Sequence, residues 1–229
     1  MTSQPRFETF AAPAFPAETM RNEVAPSDQV DPLEGMGARI AYTRNAEIYG
    51  EDEPADFVYR VVSGAVRTSK LLSDGRRQIS AFHTAGELFG LEAGSVHRFA
   101  AEAVVDSTVQ VIRRSTVLAM ASRDAALGGQ LWASTARDLD RANEHMLLLG
   151  RKSAIEKLAA FLLDMSKRGP DGDVVELPMS RYDIADYLGL TIETVSRTLT
   201  QLEKNAAIEL PSSRRIVLRN AGALRRLNA

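Results

Sequence analysis

The sequence contains no cysteine and only three histidines, His83, His97 and His145. Without thiols, the chain cannot form a disulfide, a thiolate-held iron–sulfur cluster or a cysteine redox switch. The histidines lack metal-type spacing, so no metal site is predicted, although a haem bound to one of them stays open. No run is long enough for a transmembrane helix, and the N-terminus lacks a basic segment followed by an apolar core. We therefore expect a cytoplasmic protein.

The net charge of the 229 residues is only −2, but it is unevenly distributed. Residues 1–150 hold 15 basic and 20 acidic side chains, whereas residues 151–229 hold 13 and 10. The mildly basic C-terminal part suits a phosphate-facing module, and the acidic N-terminal part does not. Residues 1–30 are rich in Ala, Pro, Glu and Thr without periodicity, which predicts a flexible arm.

Residues 180–197 carry the most specific pattern in the chain, that of two short helices joined by a tight turn. Ser180 is a good N-cap, and Asp183 completes a loose capping box. Gly189 ends the first helix because glycine takes the left-handed conformation at low cost, and Thr191 caps the second helix. The buried stripe of the second helix consists of Val195, Leu199 and Leu202. The pattern predicts a helix-turn-helix, whose second helix enters the DNA major groove.

The side chains that face away from this stripe have the chemistry needed to read bases. The planar fork of Arg197 can pair with both acceptors of guanine. Glu193, one turn earlier, can accept from the cytosine amine and can orient Arg197, while Ser196 is small enough to approach a thymine edge. The alternative is an ordinary solvated helix with a Glu–Arg pair; the two caps, the glycine turn and a following hairpin favour DNA recognition.

A predicted hairpin follows the second helix. Two β-type runs, 207–210 and 214–218, flank a Pro/Ser turn, and a hairpin behind a recognition helix makes a winged helix. Arg214 and Arg215 near its tip are placed to contact phosphates, or else they belong to a solvated turn.

Short β-type runs dominate the region from Arg39 to Arg114, and Ser73-Asp74-Gly75 is a strong turn signal. The predicted runs are 57–62, 65–72, 78–82, 86–90 and 103–112. Many short strands at regular spacing favour an all-β barrel or jelly roll.

A long helix is predicted from about Asp124 to Leu149. It carries a heptad pattern of Gly128, Trp132, Thr135, Leu139, Ala142, Met146 and Leu149. This seam predicts the contact of a twofold dimer, which would present two recognition helices about one DNA turn apart. The alternative is an amphipathic helix packed on its own β-roll. Residues 150–153 are the predicted hinge, and Ser153 caps the next helix, 154–167.

From about Leu33 to its end, the chain resembles the CRP/FNR superfamily of bacterial transcription regulators. Residues 191–197 look like the recognition helix of that family, and the Glu-x-x-Ser-Arg spacing is typical of the FNR/FixK branch. The CRP branch usually has Arg where Ile192 stands and Gly where Ser196 stands. The resemblance implies an α+β architecture: an arm (1–30), a cyclic-nucleotide-binding-type β-roll or jelly roll (31–122), a dimerisation helix (123–150) and a C-terminal winged helix-turn-helix (151–229).

The resemblance also implies partners and roles. It implies a homodimer on a DNA palindrome of the type TTGAT, four bases, ATCAA, read by Ile192, Glu193, Ser196 and Arg197. The implied phosphate contacts are Ser180, Tyr182, Thr191, Thr194 and Arg214. RNA polymerase would be a further partner, touched by the loop 169–173 and the turn 73–75, unless these are plain connections.

Binding of a cyclic nucleotide is not expected. Family members that bind one use a Gly-Glu pair and an Arg-Ser or Arg-Thr pair, whereas here Glu92 is displaced by one residue and Phe99 follows Arg98. An anionic phosphate needs a charge partner and several donors. We therefore expect an activator that works without a cofactor. The alternative is a regulator gated by haem or an organic effector in the roll. An enzyme built on a β-roll would need a cluster of histidines and carboxylates that this sequence lacks.

Overall fold

The computed structural model describes residues 32–169 and 171–228. The predicted arm lies outside these residues. In order along the chain come a β-roll, a long helix and a winged helix-turn-helix, so the predicted α+β architecture is confirmed.

The β-roll consists of two four-stranded antiparallel sheets, with strand orders β1-β8-β3-β6 and β2-β7-β4-β5. Alternating burial, as in Tyr59 and Val61 on either side of the half-buried Arg60 in β3, points one face of each strand into the roll. The strands are β1 Ala38–Tyr42, β2 Glu47–Tyr49, β3 Phe57–Ser63, β4 Ala65–Leu71, β5 Arg77–Thr84, β6 Leu88–Phe89, β7 Ala100–Ala103 and β8 Ser107–Arg113.

The expectation of one strand over 103–112 is wrong, because a bend at 104–106 divides this segment between the two sheets. The Asp106 carboxylate accepts from the Arg44 amide at 2.8 Å, and the Ser107 hydroxyl donates to Val105 O at 2.7 Å. Gly64 faces this bend with φ +86°, and a Cβ there would lie 2.3 Å from the Ser107 hydroxyl. Polar turn residues thus move the chain from one sheet to the other.

Three helices follow the β-roll, and the third of them begins the C-terminal module. They are α1 Arg114–Ala121, α2 Ala125–Arg151 and α3 Ala154–Arg168. The Asp124 carboxylate caps α2, and Ser153 with Glu156 forms a capping box at α3. The helix α2 continues through Gly150, so the predicted hinge of 150–153 is reduced to Lys152, which is extended, and Ser153.

The C-terminal module is larger than the predicted helix pair and hairpin. After α3, its elements are β9 Val174–Glu176, α4 Arg181–Leu188, α5 Ile192–Lys204, β10 Ile208–Glu209, β11 Arg215–Leu218 and α6 Ala221–Asn228. The predicted hairpin is β10–β11, but β9 adds a third strand on the outer side of β11. The helix α6, also not predicted, packs on α3.

The apolar core of the module continues into the β-roll. Phe82 of β5 lies with its ring centroid 5.3 Å from that of Tyr187 on α4, and Tyr187 lies 5.7 Å from Phe161 on α3. Ile79 of β5 is fully buried in the same cluster as Leu188 of α4. The winged helix-turn-helix module therefore rests on the roll through packed side chains and not through a linker alone.

Candidate nucleic-acid interface

The first helix of the motif, α4, begins and ends where local sequence signals place it. The Ser180 hydroxyl accepts from the Asp183 amide at 3.1 Å, and the Ser180 amide donates to the Asp183 carboxylate at 3.0 Å. Gly189 ends the helix in the left-handed conformation, with φ +61°. Lys157 of α3 donates to Leu188 O at 3.0 Å, which satisfies a carbonyl of the last turn. The predicted capping box and glycine turn are confirmed.

The second helix, α5, is held against α4 by the predicted apolar stripe. Its cap is confirmed, since the Thr191 hydroxyl accepts from the Thr194 amide at 3.2 Å. The side chains buried between the two helices and the rest of the module are Ile184, Ala185, Leu188, Val195, Leu199 and Leu202. Because these residues form one close-packed cluster, α4 and α5 behave as a single rigid unit.

The opposite face of α5 presents the side chains predicted to read bases. Glu193 and Arg197 are exposed, and Ile192 and Ser196 are half-buried. The pKa of the Glu193 carboxyl lies below its usual range, because its own backbone amide and the Thr191 hydroxyl hydrogen-bond to it and Arg197 adds a smaller attraction. The positive end of the helix dipole also stabilises a carboxylate in the first turn.

Glu193 does not orient Arg197 directly. Within the described residues, no carboxylate forms an ion pair with the Arg197 guanidinium, in contrast to the expected pair one turn apart. The free amides at the start of α5 attract the carboxylate instead. Both polar groups therefore stay open to a partner outside the chain.

Arg181, which the sequence did not single out, contacts the predicted reading face. It is the first residue of α4, and its guanidinium donates to the Ser196 hydroxyl at 3.3 Å. Because this contact uses Ser196 as an acceptor, the hydroxyl hydrogen remains free to donate. The only local signal in the sequence for this contact with Ser196 is that a basic residue directly follows the Ser180 cap.

The residues predicted to contact phosphates differ in their exposure and in their partners within the chain. Tyr182 is 65% exposed, and Arg214 is exposed at the wing, whereas the neighbouring Arg215 is paired with Glu176 at 3.4 Å. The Ser180 hydroxyl donates to Asp183 at 2.7 Å, so its hydrogen already has a partner. The hydroxyls of Thr191 and Thr194 lie 3.1 Å apart at the start of α5.

The helix α2 has a buried face and an exposed apolar face. Its buried residues are Leu127, Ser134, His145 and Leu148. Of the predicted seam, Trp132, Leu139 and Met146 are exposed by 76%, 61% and 63%, and Thr135 and Ala142 are exposed as well. Leu149 differs, because it is half-buried and its Cδ2 lies 3.4 Å from the position of a Cβ on Gly189.

The interior of the β-roll is occupied by stacked rings. The centroid of Tyr49 lies 3.6 Å from that of His97 and 4.9 Å from that of Tyr59, and Phe89 closes the cluster. Arg98 lies at the surface in a loop, with its side chain 79% exposed. Glu92 accepts from the Arg98 amide at 3.3 Å and so holds this loop.

No described helix combines the length and the apolar character needed to cross a bilayer. The groups predicted to read or contact DNA lie on α4, on α5, at the caps of these two helices and on the wing.

Comparison with known proteins matches both parts of the chain. Residues 39–124 match the cyclic nucleotide-binding domain, and residues 156–227 match the Crp-like helix-turn-helix domain. The nitrogen fixation regulation protein FixK of Azorhizobium caulinodans is 49% identical over 92% of this chain and 88% of its own. The FixK of Rhizobium meliloti is 44% identical over 86% of this chain and 90% of its own.

Among solved structures, FixK2 from Bradyrhizobium japonicum aligns with a TM-score of 0.81 and 52% identity, covering 85% of this chain and 98% of that one. The likeness thus spans the roll, the long helix and the winged module together. The chain belongs to the CRP/FNR superfamily, in its FixK branch, and is a DNA-binding transcription regulator, not an enzyme.

Proposed function

We propose that this regulator binds, as a homodimer, a palindrome of the type TTGAT, four bases, ATCAA, and activates transcription by recruiting RNA polymerase. The observation that carries the proposal is the exposed polar face of α5, with Glu193, Ser196 and Arg197 on a helix capped at its start and packed on its other side. A rigid helix that presents such groups outward is suited to the major groove.

Each side chain has a distinct role in this reading. Arg197 donates two hydrogen bonds to one guanine, and Glu193 accepts from the cytosine of the same pair. Ser196, with its hydroxyl hydrogen free, approaches a thymine edge, and Ile192 gives an apolar contact. Tyr182, Thr191, Thr194 and Arg214 contact phosphates, which position the module without carrying sequence information. Ser180 joins this set through its position at the start of α4.

The homodimer is built on the exposed face of α2. Trp132, Leu139 and Met146 are spaced by seven residues and point away from the side of the helix that packs on its own chain. A heptad repeat of exposed apolar side chains is what a two-helix seam buries. Leu149 contributes less, because it already packs within its own subunit.

Activity without a small-molecule effector is supported by the interior of the roll. The rings of Tyr49, Tyr59, Phe89 and His97 fill it, and the adjoining cavity lined by His83 and Phe99 has a volume of about 230 Å³. Organic ligands usually occupy roughly 300–1,000 Å³.

The exposed turn 73–75 and the loop around 171–173 remain available for contact with RNA polymerase.

The test begins with selection of bound sequences from a random DNA pool, which should return the palindrome. Binding to the selected duplex is then compared with half-sites changed at the guanine. Arg197→Ala should cost about 1–3 kcal/mol and relax discrimination at that position. Arg98→Ala, which removes the same charge from an exposed loop of the roll, is the matched control and should bind like the wild type. Unchanged discrimination in Arg197→Ala would contradict the proposal.

Effector gating is the second candidate, because a cavity of about 600 Å³ lies between α2, α3 and α6. Protein unfolded in denaturant, freed of small molecules by gel filtration and refolded should bind the palindrome as tightly as the untreated protein. A loss of affinity that a cell extract of small molecules restores would favour gating, and an absorption spectrum of fresh protein would identify haem.

A further inference from the structure

A cluster of charged side chains joins the β-roll to the first helix of the helix-turn-helix. Arg67 on β4 donates to the Asp183 carboxylate at 3.2 Å, and Arg77 at the start of β5 donates to the same oxygen at 2.8 Å. Arg77 also donates to Asp186, one turn along α4, at 2.9 Å. Glu102 of β7 accepts from Arg67 at 3.0 Å and orients it. We refer to these five residues as the roll–helix cluster.

The most buried pair of the cluster is the one that joins β4 to α4. The side chains of Arg67 and Asp183 are each only 6% exposed, and those of Arg77 and Asp186 are about one-third exposed. Buried charges are tolerated only when they are paired in a well-defined geometry. Guanidinium–carboxylate hydrogen bonds are more strictly directional than the neighbouring ring contact of Phe82 with Tyr187. The cluster therefore selects one orientation out of those that the apolar contact alone would allow.

The Asp183 carboxylate belongs both to the roll–helix cluster and to the capping box that begins α4. One of its carboxylate oxygens binds Arg67 and Arg77, while the other accepts from the Ser180 amide and hydroxyl in the capping box of α4. The carboxylate that begins the helix is thus the same one that the roll holds. Since α4 and α5 share one close-packed core, fixing α4 also fixes the recognition helix.

The recognition face is open while the cluster is formed. Glu193 and Arg197 are exposed in the same structure in which Asp183 and Asp186 are bound by the roll. The Gln78 side chain of β5 donates to Tyr187 O at 3.3 Å and supports the same contact. The pairing thus holds the module without covering the groups that would meet DNA.

We infer that Arg67 and Arg77 are positioning residues for DNA recognition: by holding Asp183 and Asp186, they keep the recognition helix in its DNA-binding orientation with no effector required. The inference rests on the proposed function for the identity of the DNA site. Neither arginine touches DNA; both act through α4. The roll, in this view, works as a fixed platform whose own charges do what a bound ligand would otherwise have to do.

The test uses Arg77→Gln, because Arg77 is partly exposed and its loss leaves Arg67 to pair with Asp183. Arg76→Gln is the matched control, since Arg76 is the neighbouring residue, bears the same charge and, among the residues that the structure describes, pairs only with Asp74 in the turn. Asp186→Asn removes the other half of the contact, and Arg77→Lys keeps the charge without the bidentate fork. Circular dichroism confirms that each variant is folded.

Two readouts are needed. The affinity of the full-length protein for the selected palindrome is measured by fluorescence anisotropy. The distance between the roll and α5 is measured by electron spin resonance with labels at Arg98→Cys and Lys204→Cys, both exposed positions. The natural chain has no cysteine, so only these positions are labelled, and an excess of unlabelled subunits isolates the distances within one chain.

Arg77→Gln and Asp186→Asn should broaden or shift the distance distribution and weaken specific binding on the order of tenfold. Arg77→Lys should lie between these variants and the wild type, and Arg76→Gln should match the wild type. Unchanged distances and affinity in Arg77→Gln would overturn the inference, as would tighter binding, which would mean that the cluster holds the module in an inactive orientation. If the wild type itself bound no palindrome, the proposed function would fail, while an unperturbed distance distribution in Arg77→Gln would separately refute the positioning role.

Discussion

His83 is a buried histidine whose surroundings oppose protonation, and this makes stability depend on pH. Its side chain lies on β5 with Nε2 3.3 Å from the Thr68 hydroxyl and its ring stacked on Phe89. Within the part of the chain that the structure describes, its Nδ1 has no hydrogen-bond partner. Burial lowers the pKa of His83 to about 4; the nearby Glu87 opposes this effect, and Arg168 adds to it.

The sign of the effect follows from proton binding. Below about pH 6.5 the unfolded chain takes up a proton on this imidazole, while the folded protein does not until about pH 4. Stability should therefore fall as the pH drops through this window. For these two pKa values, the loss at about pH 5 relative to neutral pH is about 2 kcal/mol, which corresponds to a decrease in melting temperature of roughly 4–8 °C.

His83→Gln removes the titration and keeps a polar partner for Thr68. Urea unfolding of the wild type and the variant, at one protein concentration and at neutral pH and about pH 5, gives the difference in pH dependence. The pKa values of His97 and His145 are also lowered by burial, but both residues are present in both proteins and cancel. Between neutral pH and about pH 5, the free energy of unfolding of the variant should fall by about 2 kcal/mol less than that of the wild type. Equal losses of stability in the two proteins, or an NMR titration that gives His83 a pKa near 6.5, would refute the reasoning.

Three further tests, two of them with a control substitution, examine the local packing and the proposed dimer. Gly189→Ala should destabilise the protein by about 1 kcal/mol in urea unfolding, because φ is +61°, whereas Gly150→Ala, inside α2 with open space, should stabilise it slightly. Leu162→Ala, at a fully buried position, should cost about 2–5 kcal/mol by the same measurement, and a cost below about 1 kcal/mol would contradict the packing. Leu139→Asp should give monomers in sedimentation analysis. Leu118→Asp, at a similarly exposed position on α1, is the control and should remain dimeric. A dimeric Leu139→Asp variant would exclude this face of α2 as the contact between subunits.

The helix-turn-helix could be located from sequence because its signals are local. The Ser180 and Thr191 caps act within three residues, and Gly189 ends a helix by its own conformational freedom. The strand β9, only three residues long, gives no such signal, since it forms by pairing with β11 about forty residues later. For the same reason the division of β7 from β8 was missed, because it depends on which sheet each half joins.

The sequence alone determined where the recognition helix begins and which polar side chains line its outer face, because caps and helical periodicity operate over a few residues. Only the tertiary structure decided which charges meet. Arg67 and Asp183 are 116 positions apart, and nothing near either one in the sequence indicates the other. Their pairing exists because the packing of Phe82 against Tyr187 brings β5 and α4 together, and a buried charge must then find its partner across that contact.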